Sequence, residues 1–233
     1  MKREAVILAG GFGTRLRSVV NDVPKPMALV RGIPFLSYLL EELNNNGFTR
    51  AIIAAGYRHE TINGYFGEHY KNIKLIYSIE NEPLGTGGAI ALAIEKVAEE
   101  NFFIINGDTF FRVDFSQLEK IFIKGKSNLT IALKEMKNFD RYGTVVTSDK
   151  RIISFREKKF CEKGLINGGI YLINKRWLKE NSPSKVFSFE KDLLEKKGTS
   201  DSITFYLSDG YFIDIGIPED YLRAERELVV PSN

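Results

Sequence analysis

Ile7-Leu8-Ala9-Gly10-Gly11-Phe12-Gly13-Thr14-Arg15-Leu16, followed downstream by Pro24-Lys25-Pro26-Met27, decides the fold of this 233-residue chain. The apolar run from Glu4 to Ala9 ends in glycines and reads as a buried strand entering a glycine-rich loop. Backbone N–H groups of such a loop can surround a polyphosphate, while Arg15 and Lys25 neutralise its charge. A dinucleotide loop needs G-x-G-x-x-G, and Leu16 stands where the third glycine belongs. A Walker loop needs Gly-Lys-Ser/Thr, which is absent. The plainer alternative, a tight strand–helix turn, gives the two flanking cations nothing to do. Lys25 also lies between two prolines, which restrict its backbone and help aim its side chain.

Outward from this loop, Pro34 opens an amphipathic helix through Leu36, Leu39, Leu40 and Leu43 that closes at Gly47. Strands are expected at residues 50–56, 73–79 and 102–106, with helices at 59–66 and 87–100. Strand–helix alternation predicts a mostly parallel sheet covered on both faces. After about residue 115 the pattern changes: a helix at 115–124, then strands at 128–136, 142–147, 152–157, 168–173, 203–207 and 211–215. A helix is expected at 186–196, and another starts at Pro218, where a missing N–H does no harm. Without a linker or repeat, the second half is expected to extend the first sheet, giving a single domain over 1–233.

Lys and Arg number 33 against 30 Asp and Glu, and the resulting +3 is dispersed. No nucleic-acid arm and no membrane-surface patch is implied. Cys161 is the only cysteine, so no internal disulfide forms, and a reducing cytoplasm suits the chain. No apolar run reaches transmembrane length, and residues 1–4 lead into a strand rather than a signal peptide. The expectation is a soluble, cytoplasmic α/β protein; a homo-oligomer is left open.

Three further segments carry chemistry. Asp108, in Asn106-Gly107-Asp108, follows a strand, where ligands collect in open α/β sheets. Asp214 stands amid apolar residues in Phe212-Ile213-Asp214-Ile215-Gly216 and needs a partner or a cation. Two such carboxylates with phosphate oxygens suit Mg²⁺. In Glu80-Asn81-Glu82-Pro83-Leu84-Gly85-Thr86-Gly87-Gly88, the glycines either admit a base or ribose or simply pack a helix. Glu80 and Glu82 could accept from the N1–H and 2-amino group of guanine, and the sequence does not choose between them. Arg156-Glu157-Lys158-Lys159 offers an acceptor for sugar hydroxyls and a cation for a sugar phosphate, or else is a solvated charge run. His59 and His69 have no metal or triad spacing and receive no role.

Together these segments, with Asn167-Gly168-Gly169-Ile170-Tyr171, resemble the sugar-1-phosphate nucleotidyltransferases over almost the whole chain. The resemblance implies a Rossmann-like three-layer α/β/α fold with a mixed, mostly parallel sheet. The nucleotide-binding part spans about 1–114 and the sugar-binding part about 115–233. The stretch Arg17-Ser18-Val19-Val20, with Asp22-Val23 before Pro24, looks most like the branch that guanylylates D-glycero-α-D-manno-heptose 1-phosphate. That branch makes GDP-heptose for capsule or other surface polysaccharide. Mannose- or glucose-1-phosphate nucleotidyl transfer, or a non-catalytic regulatory subunit, are the alternatives. No hexapeptide-repeat domain follows, so a second acyltransferase activity is not expected. By resemblance, Leu8, Ala9, Gly10, Gly11, Gly13, Thr14, Glu80, Pro83, Gly85, Thr86, Gly107 and Asp108 hold GTP. Arg15 and Lys25 are catalytic, Asp108 and Asp214 hold Mg²⁺, and Gly143, Glu157, Lys158 and Asn167 hold the sugar phosphate. The usual threonine before Pro218 is Ile217 here, so the last helix should lack a side-chain cap.

Overall fold

The structure, a computed structural model, describes residues 2–11, 23–56, 58–149, 151–197 and 203–231. Its first half is built on strands β1 (Arg3–Leu8), β4 (Phe48–Ala55), β6 (Ile73–Ile79) and β7 (Asn101–Asn106). Short strands β2 (Leu29–Val30), β3 (Ile33–Pro34) and β5 (His69–Tyr70) accompany them, with helices α1 (Phe35–Asn45), α2 (His59–Phe66) and α3 (Gly85–Ala93). Strand β8 (Thr109–Phe111) and helix α4 (Phe115–Lys124) lead into the second half. There β9 (Leu129–Phe139), β10 (Thr144–Ser148), β11 (Arg151–Arg156) and β12 (Cys161–Asn174) come first. They are followed by α5 (Lys175–Asn181), a π-helical turn (Phe189–Leu194) that runs into α6 (Glu195–Lys197), β13 (Ile203–Ser208), β14 (Phe212–Asp214) and α7 (Pro218–Glu227).

Ten strands form one sheet in the order β10-β11-β13-β9-β12-β7-β1-β4-β6-β5. The second half thus extends the first sheet, as its texture predicts. β7, β1, β4 and β6 are mutually parallel, and β13 runs parallel to β9. β12 is antiparallel to both β7 and β9, and the β10–β11 hairpin is antiparallel as well. Side chains alternate between two cores. Ala5 and Ile7 face the one shared with α1, α2, α4 and α7, while Val6 faces the one shared with α3, α5 and the π turn. Both faces are therefore covered, which is why the parallel strands read as continuous apolar runs.

Several elements differ from expectation in informative ways. Helix α3 begins two residues early, at Gly85, and gives way at Ile94–Lys96 to a 3₁₀ turn instead of continuing to residue 100. β12 is 14 residues long rather than six, because its first half, 161–167, pairs with β9 and β10 before its last five residues reach β7. The helix expected at 186–196 is a π turn, held by Ser188, whose hydroxyl accepts from Lys191 N. Helix α7 has no side-chain cap at Ile217, as expected; Pro218 occupies its first turn with Glu219 and Asp220, whose charges favour a helix amino end. No helix among the described residues is long and apolar enough to cross a membrane.

Candidate active site

The parallel strands end together, and their carboxyl ends open into a cleft of about 350 Å³. Leu8, Gly10 and Gly11 leave β1, while Asn106, Gly107 and Asp108 leave β7 on its other flank. The connection after β6 adds Glu80 and Pro83, and α3 adds Gly85, Thr86 and Ala89. The strand order reverses here, β4 and β6 lying on one flank of β1 and β7 on the other, the place where an open α/β sheet accommodates ligands. The cleft thus gathers most of the residues expected to hold a nucleotide. Ala9 is the exception. Its side chain is buried in the core and its N–H donates to Ala54 O at 2.7 Å. Gly13, Thr14 and Arg15 lie outside the described residues.

Glycine at position 10 has a specific cause. A Cβ there would lie 2.9 Å from Glu80 Oε1, so the bare backbone makes room for the carboxylate. Glu80 Oε2 accepts from Leu84 N at 3.1 Å, which pins this side chain against the cleft wall. Glu82 stays outside the cleft and is 75% exposed, with only a loose ion pair to Lys185 at 3.7 Å. Of the two candidate glutamates, Glu80 alone lines the cleft.

Gly85 lines the cleft, whereas Gly87 and Gly88 follow the plainer of the two readings. The segment before the π turn packs against them: Gly87 N donates to Phe187 O at 2.9 Å, and Phe187 N donates to Leu84 O at 3.0 Å. A Cβ on Gly88 would come within 2.4 Å of Lys185 O. Gly88→Ala therefore sets better helix propensity, about 1 kcal/mol, against overpacking of about 1–3 kcal/mol onto unyielding backbone. The expected result is a net loss of stability, visible as a lowered midpoint in denaturant unfolding; a raised midpoint would show that the 185–189 segment yields.

At the mouth, Lys25 Nζ pairs with Asp108 Oδ2 at 2.9 Å. Lys25 opens a 3₁₀ turn, Lys25–Met27, closed by Ala28 N donating to Lys25 O, with Pro26 buried beneath it. The second aspartate arrives through an unforeseen pairing. Strand β14 runs antiparallel to β8, setting Asp214 opposite Thr109, and Ile215 N donates to Asp108 O at 3.0 Å. Gly216 N donates to Asp214 Oδ1 at 2.7 Å, and the Tyr142 hydroxyl donates to Oδ2 at 3.3 Å. Arg141 stands 3.8 Å away and is anchored in turn by Asp220. Burial, and then the neighbouring Asp108 charge, raises the Asp214 carboxyl above its ordinary value of 3.8, with Gly216 N–H, Lys25 and Arg141 opposing. Two carboxylates are therefore held close enough to repel each other, an arrangement that a divalent cation relieves. Among the described residues no cluster of three or more metal-ligating side chains exists, so phosphate oxygens would have to complete the coordination.

The expected sugar residues are not in this cleft. Gly143 precedes β10, where a Cβ would meet Arg156 O at 2.6 Å. Glu157 and Lys158 follow β11 and are exposed. Asn167, on β12, is half-buried, and its side chain is braced by its neighbours: its Nδ2 donates to the Tyr171 hydroxyl at 2.7 Å and its Oδ1 accepts from Gly169 N at 3.0 Å. These bonds brace the β12 irregularity, where the pairing with β9 slips between Asn167 and Tyr171. That same irregularity packs on Asn106, at the cleft floor. Sequence reasoning missed Asn106 and Glu190 as cleft residues, and Arg141 and Tyr142 as supports of Asp214. Only the Tyr142-Gly143 adjacency gave any hint of the last pair.

A nucleotidyl transferase family model matches residues 4–229. D-glycero-alpha-D-manno-heptose 1-phosphate guanylyltransferase of Aneurinibacillus thermoaerophilus is 52% identical, over 97% of this chain and 98% of that protein. The enzyme of the same name from Campylobacter jejuni is 47% identical over 94% and 96%. The crystal structure of HddC from Yersinia pseudotuberculosis complexed with GMP-PN superimposes with a TM-score of 0.86 at 39% identity, covering 97% of this chain and 99% of that one. The strand-end cleft, the mixed sheet around it and these likenesses coincide over the same residues, and the chain belongs to the nucleotidyl transferase family.

Proposed function

We propose that the protein transfers a guanylyl group from GTP to D-glycero-α-D-manno-heptose 1-phosphate, releasing pyrophosphate and forming GDP-heptose. The observation that carries the chemistry is the Lys25–Asp108 pair with Asp214 beside it at the mouth of the strand-end cleft. The heptose and the guanine are supported by the named relatives at 52% and 47% identity.

The sugar phosphate is already an anion, so no protein nucleophile is needed. One of its oxygens attacks the α-phosphorus in line, the P–O bond to the leaving pyrophosphate breaks, and repulsion between anions is the main obstacle. Gly10, Gly11 and the following loop to Thr14 hold the triphosphate through backbone N–H groups, with Arg15 over its β/γ end. Lys25 neutralises charge between the α-phosphate and the leaving group. Asp108 and Asp214 would hold Mg²⁺, which bound there would polarise phosphoryl oxygens and offset developing charge. Glu80, Pro83, Gly85 and Thr86 face the nucleoside, and Leu8, Ala9 and Gly107 line its floor through backbone. Lys158 seats the sugar phosphate, while Gly143, Glu157 and Asn167 shape the sugar side. The continuous sheet supports reading 1–233 as one domain that carries both substrates. The single cysteine suits the cytoplasm as its location.

The decisive measurement is pyrophosphate release in a panel that crosses four nucleoside triphosphates with several sugar 1-phosphates, with and without Mg²⁺. GTP with the heptose 1-phosphate and Mg²⁺ is expected to be fastest by at least about tenfold. A faster mannose or glucose 1-phosphate would reassign the sugar. Release from no pair would make the protein a non-catalytic binder.

A further inference from the structure

We infer that Glu190 determines base specificity: its carboxylate accepts a hydrogen bond from the N–H donors of guanine. The inference takes its ligand from the guanylyl-transfer reading above.

Glu190 is the only cleft-lining residue drawn from beyond β8 among those described. It rides on the π turn, and that turn is clamped to the amino end of α3. Phe189 N donates to Thr86 Oγ1 at 2.9 Å and Gly87 N to Phe187 O, while Ser188 N donates to Asp192 Oδ2 at 2.9 Å within the turn itself. Phe187 and Phe189 are buried on either side. The carboxylate is thus presented from a fixed support rather than a mobile loop. Thr86 Oγ1 donates to Glu190 Oε2 at 2.9 Å, and Ser188 Oγ approaches the same oxygen at 3.4 Å. Among the described residues Oε1 has no hydrogen-bond partner, and no cation pairs with the group. Its charge contributes, after burial, to holding the Tyr171 phenol well above its usual range, so the field of this carboxylate is felt in the interior.

A carboxylate can only accept. With Oε2 engaged and Oε1 open, Glu190 calls for a donor from the ligand. Glu80 stands in the same cleft with its own Oε2 taken by Leu84 N. Guanine presents donors at N1 and the 2-amino group. Adenine has a donor only at its 6-amino group and an acceptor at N1, so a carboxylate facing N1 meets a lone pair where guanine offers a proton.

The test is calorimetric titration of GTP, ATP and 2′-deoxy-GTP into the full-length protein and into E190Q, without sugar phosphate. Glutamine keeps an oxygen for Thr86 and exchanges the open acceptor for a donor. E190Q is expected to bind GTP and 2′-deoxy-GTP about tenfold to hundredfold more weakly, with ATP changed by less than about threefold. Unchanged GTP affinity overturns the inference. Parallel losses for GTP and ATP overturn it too, because they would make Glu190 only a latch on Thr86. Equal binding of 2′-deoxy-GTP by both proteins also overturns it, because the ribose 2′-hydroxyl would then be the donor. A wild-type protein that binds GTP yet releases no pyrophosphate would sink the proposed reaction while leaving this inference to stand on its affinities. Failure of the wild type to bind GTP at all would overturn both.

Discussion

Lys25→Ala is expected to lower kcat by roughly 10²–10³-fold, the effect of losing one preorganised charge-stabilising group. Placement is the cause. The ammonium is fixed by its 2.9 Å contact with Asp108 and by the short 3₁₀ turn that Lys25 opens between Pro24 and Pro26. It therefore meets the developing phosphoryl charge without first being organised. A lysine delivered from a free loop would spend part of that interaction on ordering its own side chain. Unfolding cannot account for a loss of this size. The Lys25 and Asp108 side chains are 20% and 31% exposed, so solvent screens their pairing, which is worth about 1 kcal/mol or less to stability. Steady-state pyrophosphate release, with a denaturation curve on the same sample, separates the two effects. Turnover within about threefold of wild type would remove Lys25 from the chemistry.

Asp214→Asn is expected to lower Mg²⁺-dependent turnover by about 10²-fold or more, while leaving the metal-free fold as stable or more stable at neutral pH. The second half of this statement follows from the raised carboxyl. Because burial and Asp108 lift the folded-state value above the ordinary 3.8, the folded protein holds the proton more tightly than the unfolded chain. The resulting stabilisation is full below the unfolded value and is lost as pH rises through the folded one. At neutral pH the charged Asp214 is then a cost, which asparagine removes while its amide oxygen can still accept from Gly216 N. Thermal unfolding of both proteins across that acidic window, without metal, should show wild type losing ground to the variant as pH rises. A variant markedly less stable at neutral pH would contradict the assigned cause of the shift. Unchanged Mg²⁺ dependence of turnover would sink the metal role of Asp214. Asp108→Asn should match it in activity.

The parts of this site that the sequence carries are those built from one contiguous segment. Ile7 to Gly11 declares a buried strand entering glycines, and Lys25 between prolines declares an aimed cation, because strand periodicity and proline geometry act over neighbouring residues. The strand at 73–79 and the helices at 59–66 and 115–124 were legible to the residue for the same reason. Elements whose form depends on a distant partner were not. β12 extends because β9 and β10 receive its first half ahead of β7, and the segment at 186–196 becomes irregular because its backbone is tied to Leu84, Thr86 and Gly87.

By itself, then, the sequence determined an α/β protein whose first strand enters a glycine-rich turn, and the presence of one carboxylate after a strand and another amid apolar strand residues. Only the tertiary structure decided that Asp214 meets Asp108, through the β8–β14 ribbon, that Glu80 rather than Glu82 faces the cleft, and that Glu190 joins it there. It also decided that Gly87 and Gly88 serve Phe187 and Lys185 rather than a base. The physical reason is range. Local patterning fixes which strands and turns form, whereas a binding site on a sheet is set by which strand ends become neighbours, and that depends on burial of both faces of the sheet at once.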